Sequence, residues 1–334
     1  MTRTPLGTGA IVLLYHRVTV LPTDPQLLSV SPAHFAEHLD VLRRVAMPVA
    51  MAELARRVRE RTVGDGMVAV TFDDGYADNL HEAEPLLRLA GIPATVFATT
   101  GHTGTSPEFF WDDLDRILLQ PGTLPTELRV TAGHREHAWA LGNTATYTAT
   151  DAARHAAWDV TMDDAPTPRQ QAYHELCGVV HRLPSAERAD VMRQVRSAAG
   201  ATDNGRPSHR MMTGDELRQL AAGGVVEVAA HTVTHPLLSA ETPDRQRHEL
   251  ATSKQSLEQI LGPRVAGFSY PFGGRRDYTP DTVAAVRKAG FAYACSNFLG
   301  RVTAATDVYQ IPRFIVRDWP GDEFERRLRE WFAR

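Results

Sequence analysis

Short apolar runs alternate with stretches of helical spacing over most of this chain, and that alternation leaves few folds open. The runs AIVLLY (10–15), MVAVTF (67–72), PATVFAT (93–99), VVEVAA (225–230), AGFSY (266–270) and FAYACS (291–296) read as buried strands. Helical patterns lie between and after them, over 34–45, about 78–90, 214–223, about 243–261, about 280–289 and from about 321. Ser31 before Pro32 supplies a helix start, and Gly91 a helix end. Strands and helices alternating at this spacing predict a parallel sheet with helical crossovers.

The polar residues add a second constraint. His16 follows the first strand, Asp73 and Asp74 the second, His231 the run 225–230, and Pro271–Gly274 the run 266–270. In a (β/α) barrel the C-terminal strand ends carry the active site. A doubly wound sheet also gathers sites at strand ends, but the chain has no GxGxxG or GxxxxGK[ST] loop. The predicted fold class is therefore α/β, of the barrel kind. Residues 105–210 interrupt the pattern. They hold an amphipathic helix (109–119), an alternating stretch that looks like a hairpin (127–141) and two or three helices over about 150–199. A structureless loop of that length is improbable, so the segment is expected to be a mainly helical folded insertion, a candidate lid, within one catalytic domain spanning 1–334. Trp111, Trp139 and Trp158 of the insertion are expected to form its own core rather than to stack on a sugar.

Composition narrows the partners. The chain has 334 residues, long enough for a large core, with 36 basic against 40 acidic residues and a net charge of -4. That balance argues against nucleic acid as a partner. The two cysteines form no disulfide framework. The N-terminal apolar run is about six residues, too short for a signal sequence, and no run approaches the roughly 18 that a membrane span needs. A cytoplasmic protein without a membrane span is expected. Oligomeric state is not legible.

Four segments carry residues suited to chemistry. In Thr71-Phe72-Asp73-Asp74-Gly75-Tyr76, adjacent carboxylates at a strand end point apart, so one can bind a metal while the other faces a water; the plainer reading is a helix cap. In His231-Thr-Val-Thr-His235, two imidazoles four residues apart can share a cation; the plainer reading is a pair of surface or core histidines. With an Asp from another strand end they make a three-ligand, open zinc-type site. Phe268–Gly274 can form a tight loop whose N–H groups face an oxyanion, or simply a turn. His16 can be a general acid, although for that residue alone a core histidine is the better reading.

TFDDGY, HTVTH and YPFG, in this order, resemble the polysaccharide deacetylases with a NodB-homology domain (carbohydrate esterase family four). The segments LLYHRV, SVSPAHFAEHLDVL and YQIPRF resemble the branch that begins with a Tyr-His motif. The likeness covers roughly 1–104 and 211–320 and leaves the insertion out. It implies a distorted (β/α) barrel and metal-dependent removal of an N-acetyl group from a sugar or glycoconjugate. It also implies that Asp73 is the base, that Asp74, His231 and His235 hold the metal, and that a backbone oxyanion donor lies near Phe272. Zinc is the expected ion, with cobalt, nickel or manganese as substitutes. Tyr76, Tyr270, Pro271, Phe272, Gly273 and Arg313 are grouped as substrate-binding candidates.

Two departures stand out. Ser269 occupies the position where the third motif has an Arg that braces the base, and Arg313 is the candidate replacement. The late Leu-x-x-His acid motif is not found near the C-terminus, which makes His16 the candidate acid, protonated so that it can serve the leaving amine. An intracellular N-acetylated saccharide is the expected substrate. A deformylase or cyclic-imide hydrolase would use the same site. A non-catalytic carbohydrate-binding protein is disfavoured because the base and all three ligands are present.

Overall fold

The structure, a computed structural model, describes residues 6–262 and 264–333. Residues 1–5, part of the N-terminal stretch read above for a signal sequence, lie outside the described residues. Seven strands lead the architecture: β1 (Ala10–Tyr15), β2 (Met67–Phe72), β3 (Ala94–Ala98), β4 (Val226–Ala230), β5 (Gly267–Ser269), β6 (Tyr293–Cys295) and β7 (Phe314–Ile315). They pair in parallel in the order β6-β5-β4-β3-β2-β1-β7, and Met47–Pro48 adds an eighth short strand beside β2. Sequential neighbours with one return make a sheet that curls. The chain just before β7 bonds to β6 (Ile311 N to Ala294 O, 3.0 Å; Ser296 N to Ile311 O, 2.8 Å), while β7 itself pairs with β1. This is the distorted (β/α) barrel expected above.

Period two sorts the strands' side chains onto two faces. Ile11, Leu13, Tyr15, Val68, Val70 and Phe72 pack with residues of the surrounding helices. Ala10, Val12, Ala69, Phe97, Ala229, Tyr293 and Cys295 meet in another cluster, as strands curled round a common interior do. Both faces are covered, which explains why β1 and β2 read as continuous apolar runs.

Several helices begin at a side-chain cap, whereas Met51–Glu60, which the sequence pattern did not mark, starts from Ala50 without one. Ser31 caps α1 (Pro32–Val45); α2 (Met51–Glu60) follows. The helix expected over about 78–90 opens as a π turn, Asn79–Ala83, before α3 (Glu84–Ala90). Capping boxes start α4 (Gly214–Ala222) and α6 (Pro280–Lys288). Thr242 caps α5 (Pro243–Leu261), and α7 (Gly321–Ala333) ends the described chain. Among the described residues no helix is long and apolar enough to cross a membrane.

Residues 21–27 with 106–210 form a second compact unit. It holds the hairpin Glu127–Ala132/Arg135–Ala140 and helices Ala149–His155, Pro168–His181 and Ser185–Ala199. The single helix expected over 109–119 is instead an α turn, Phe110–Leu114, passing into a π turn, Asp115–Leu119. Trp139 and Trp158 lie in the unit's own core with Leu128, Tyr173 and Leu176, and Trp111 is buried against Phe109. Arg169, with no exposed surface, donates to the carbonyls of Thr144, Leu118, Gly122 and Ala145 at 2.6–3.1 Å. Leaving buried acceptors unpaired costs about 1–3 kcal/mol each. Arg169→Leu is therefore expected to destabilise this unit by roughly 3 kcal/mol or more in urea unfolding followed by tryptophan fluorescence. A loss below about 1 kcal/mol would show that these carbonyls find other partners.

Candidate active site

The strand ends bring the singled-out residues to one edge of the sheet. The pair Tyr15–Phe72 lies in register, and Asp73 N donates to Tyr15 O at 3.0 Å, so His16 and Asp73 leave adjacent strands together. Thr99 N, after β3, donates to Asp74 O at 3.2 Å, and His231 N, after β4, to Ala98 O at 3.0 Å. The loops turn sharply. Six described non-glycine residues have positive φ, and four of them are Asp74 (75°), Thr232 (65°), His235 (51°) and Phe272 (60°). Such backbone costs about 1–3 kcal/mol per residue and persists where the surroundings enforce it. Gly75 belongs to the same turn: its φ is 88°, and a Cβ there would meet Ala98 Cα at 3.2 Å.

The turn at Asp74 separates the two carboxylates. Asp74 Oδ1 lies 3.6 Å from His231 Nε2 and 3.4 Å from His235 Nε2. All three residues are buried, and one ligand atom from each falls within 4.8 Å of the others. Ligands bonded to one ion at about 2.0–2.1 Å with tetrahedral angles stand ~3.3 Å apart, close to these separations. Ser269 O accepts from His231 Nδ1–H at 2.8 Å, which turns a bare Nε2 toward Asp74. Burial pushes the His231 imidazole below its ordinary value against the pull of Asp73, so the ring is neutral, as a metal ligand must be. Two imidazoles and one carboxylate fit a borderline divalent ion such as zinc.

Asp73 has a different setting. Arg313 forks it, Nη1 to Oδ1 at 2.8 Å and Nη2 to Oδ2 at 2.6 Å. Ser269 Oγ also donates to Asp73 Oδ2, at 3.1 Å, and accepts from Arg313 Nη2 at 2.8 Å. Arg313 Nε is spent on Ser296 O at 2.8 Å. Burial would raise the Asp73 carboxyl, but the Arg313 guanidinium and His231 outweigh it and hold it at about 2. The small Ser269 leaves the space that Arg313 enters from β7.

The rest of the expected substrate-binding group is mostly buried. Arg313, Tyr76 and Tyr270 have no exposed surface. Tyr76 lies under the Arg17 guanidinium, 4.4 Å from its ring centre. Tyr270 stacks on Tyr278 with ring centres 4.0 Å apart and donates to Tyr309 O at 3.0 Å. Pro271 and Gly273 are buried too, and Phe272 alone of the six keeps an exposed edge. Its ring meets His235 edge-on, with centres 4.7 Å apart.

His16 is half-buried at the end of β1, and its carbonyl accepts from Asn79 Nδ2 at 2.9 Å. Burial lowers its imidazole to about 3; Asp73 opposes this, while Arg317 and Arg313 add to it. The ring therefore rests neutral, and a role as acid requires that it first gain a proton. The sequence reading also missed the brace behind His16. Asp78, beside Asn79, accepts from Arg17 Nε and Val18 N, both at 3.0 Å, and no motif spacing marks that cluster.

Known proteins share this architecture. The profile of the family described as polysaccharide deacetylase matches residues 60–294. "Putative polysaccharide deacetylase YxkH" of Bacillus subtilis (strain 168) is 27% identical over 110 residues; the match spans 33% of this chain and only 37% of that relative. The fold is similar to that of the Streptococcus pyogenes deacetylase PplD, solved with acetate, at a TM-score of 0.58 and 16% identity over 97% of this chain and 98% of that one. It is similar also to IcaB from Ammonifex degensii, at 0.59 and 18% over 98% of each chain. At such identities the two structures speak for the fold, whereas the profile covers well over half of the sequence and carries the assignment. The chain belongs to the polysaccharide deacetylase family.

Proposed function

We propose that this protein is a metal-dependent N-deacetylase that hydrolyses the acetamido group of an intracellular saccharide or glycoconjugate to acetate and an amino sugar. One observation carries the reading: Asp74, His231 and His235 converge beside a second carboxylate, Asp73, that Arg313 grips and whose Oδ2 lies 3.9 Å from His231 Nε2. A divalent ion bound by the three residues, zinc for preference, would supply the positive charge that acidifies a water and polarises the amide carbonyl. That help is needed, because a carboxylate held at about 2 is a weak base on its own.

Asp73 takes the proton from the attacking water, with Arg313 and Ser269 fixing which way its oxygens face. A backbone N–H near Phe272 stabilises the oxyanion that forms on the acyl oxygen. The neutral His16 ring receives the proton that Asp73 has collected and releases it to the leaving nitrogen as the C–N bond breaks. The hydroxyl stays on the acyl carbon, and the proton balance closes.

The test begins with elemental analysis of protein purified without chelator. About one divalent ion per chain is expected, lost in His231→Ala. Acetate release from N-acetylated saccharides is then measured, and formate released instead from N-formyl sugars would reassign the acyl group. Absence of bound metal after reconstitution with zinc, cobalt, nickel or manganese would overturn the reading.

A further inference from the structure

Glu249, on α5, has no exposed surface, and every polar contact it makes points at the segment between the two histidines or at its own helix. Its Oε2 accepts from Val233 N at 2.7 Å and from Thr234 N at 2.9 Å. Its Oε1 accepts from Thr234 Oγ1 at 2.8 Å and pairs with Arg245 Nη2 at 2.8 Å. The carbonyls of the same segment are held from the other side. Thr100 N donates to Thr232 O at 3.1 Å and Gly101 N to Val233 O at 2.8 Å. Gly101 is required there, since a Cβ would stand 2.4 Å from Val233 O.

The segment needs such restraint. Thr232 and His235 both sit at positive φ, and a five-residue loop with two such residues does not hold that shape by local preference. Two half-buried backbone N–H groups also find their acceptor in Glu249. A carboxylate satisfies both and strengthens each bond by its charge. An amide in its place would turn an NH2 group toward donors.

We infer that Glu249 is a positioning residue that builds the His231–His235 ligand pair before any ion arrives. It touches neither imidazole. It fixes the backbone from which both project, so that binding does not have to order the loop. The inference rests on the reading of Asp74, His231 and His235 as the metal site, and it adds a residue to it that no motif marks.

The test uses the full chain, stripped of metal, with cobalt(II) as the probe. Glu249→Gln is expected to weaken cobalt binding at least tenfold and to change the visible absorption bands of the bound ion, with the far-ultraviolet circular dichroism retained. A folded Glu249→Gln protein that binds cobalt within twofold of the wild type and with the same bands would overturn the inference. Hydrogen exchange on the metal-free wild type gives an answer even where the variant does not fold. The 231–235 segment is expected to exchange as slowly as β4. Exchange at an unprotected rate until cobalt is added would mean that the ion, not Glu249, shapes the loop. A wild type that binds no cobalt would instead overturn the metal-site reading itself, and the exchange result would still judge the loop.

Discussion

Asp73→Asn is expected to lower acetate release by about a thousandfold while leaving one metal ion per chain in place. Positioned proton transfer contributes about 10²–10⁴ in rate, and Asn keeps the size of Asp without its basicity. In the proposed site Asp74, on the other side of the turn, would supply the ligand oxygen, so the metal count separates the roles of these adjacent carboxylates. The change also takes the counter-charge from a guanidinium that has no exposed surface. Activity is therefore best read as single-turnover acetate release on protein shown by circular dichroism to be folded, with the metal measured on the same sample. A folded variant with turnover within tenfold of the wild type would remove Asp73 from the role of base.

The parts of this site that sequence displays are the local ones. TFDDGY and HTVTH are each compact in sequence, and the strand ends before them are marked by apolar runs, so the place of these residues at the edge of the sheet was legible. Tyr270 shows where neighbourhood misleads. It adjoins Ser269, which reaches Asp73, yet period two sends the next side chain to the opposite face, where Tyr270 joins Phe268 in the core. The same alternation was available in the sequence and places Tyr270 with Phe268. Arg313 is a different case. It meets Asp73 across 240 positions, and only the small Ser269, standing where an Arg was expected, hinted at it. Glu249 gave no signal. In a helix carrying many exposed charges it reads as one more, and its partners lie 15 and 16 positions away in a loop whose shape depends on it. The neutral state of His16 was likewise out of reach, because it is set by burial and by Arg317 and Arg313, which the fold alone brings near. The π turn at Asn79–Ala83 has no composition that distinguishes it from an ordinary first turn.

The pair Asp73–Arg313 makes the second large prediction, and its form matters more than its size. Arg313→Met is expected to destabilise the barrel by about 3–5 kcal/mol, the usual cost of stranding one charge of a buried pair. Asp73→Asn strands the other charge and should cost an amount of the same order, reduced by whatever hydrogen bonds the amide retains. The double variant, Asp73→Asn/Arg313→Met, removes both charges and is expected to be more stable than Arg313→Met alone. The reason is desolvation. Taking either ion out of water is costly, the pair offsets that cost by meeting in a two-pronged fork, and a site with neither ion has no such cost to offset. Chemical denaturation of the three variants and the wild type closes the cycle and isolates the coupling. Simple additivity would show that the fork contributes little, and that Arg313 stabilises the barrel through Ser296 O and Ser269 rather than through Asp73. Activity should not follow stability around this cycle: the double variant regains the fold but not the base. Stability regained without activity in the double variant is the pattern expected of a buried charge pair kept for the proposed chemistry rather than for the fold.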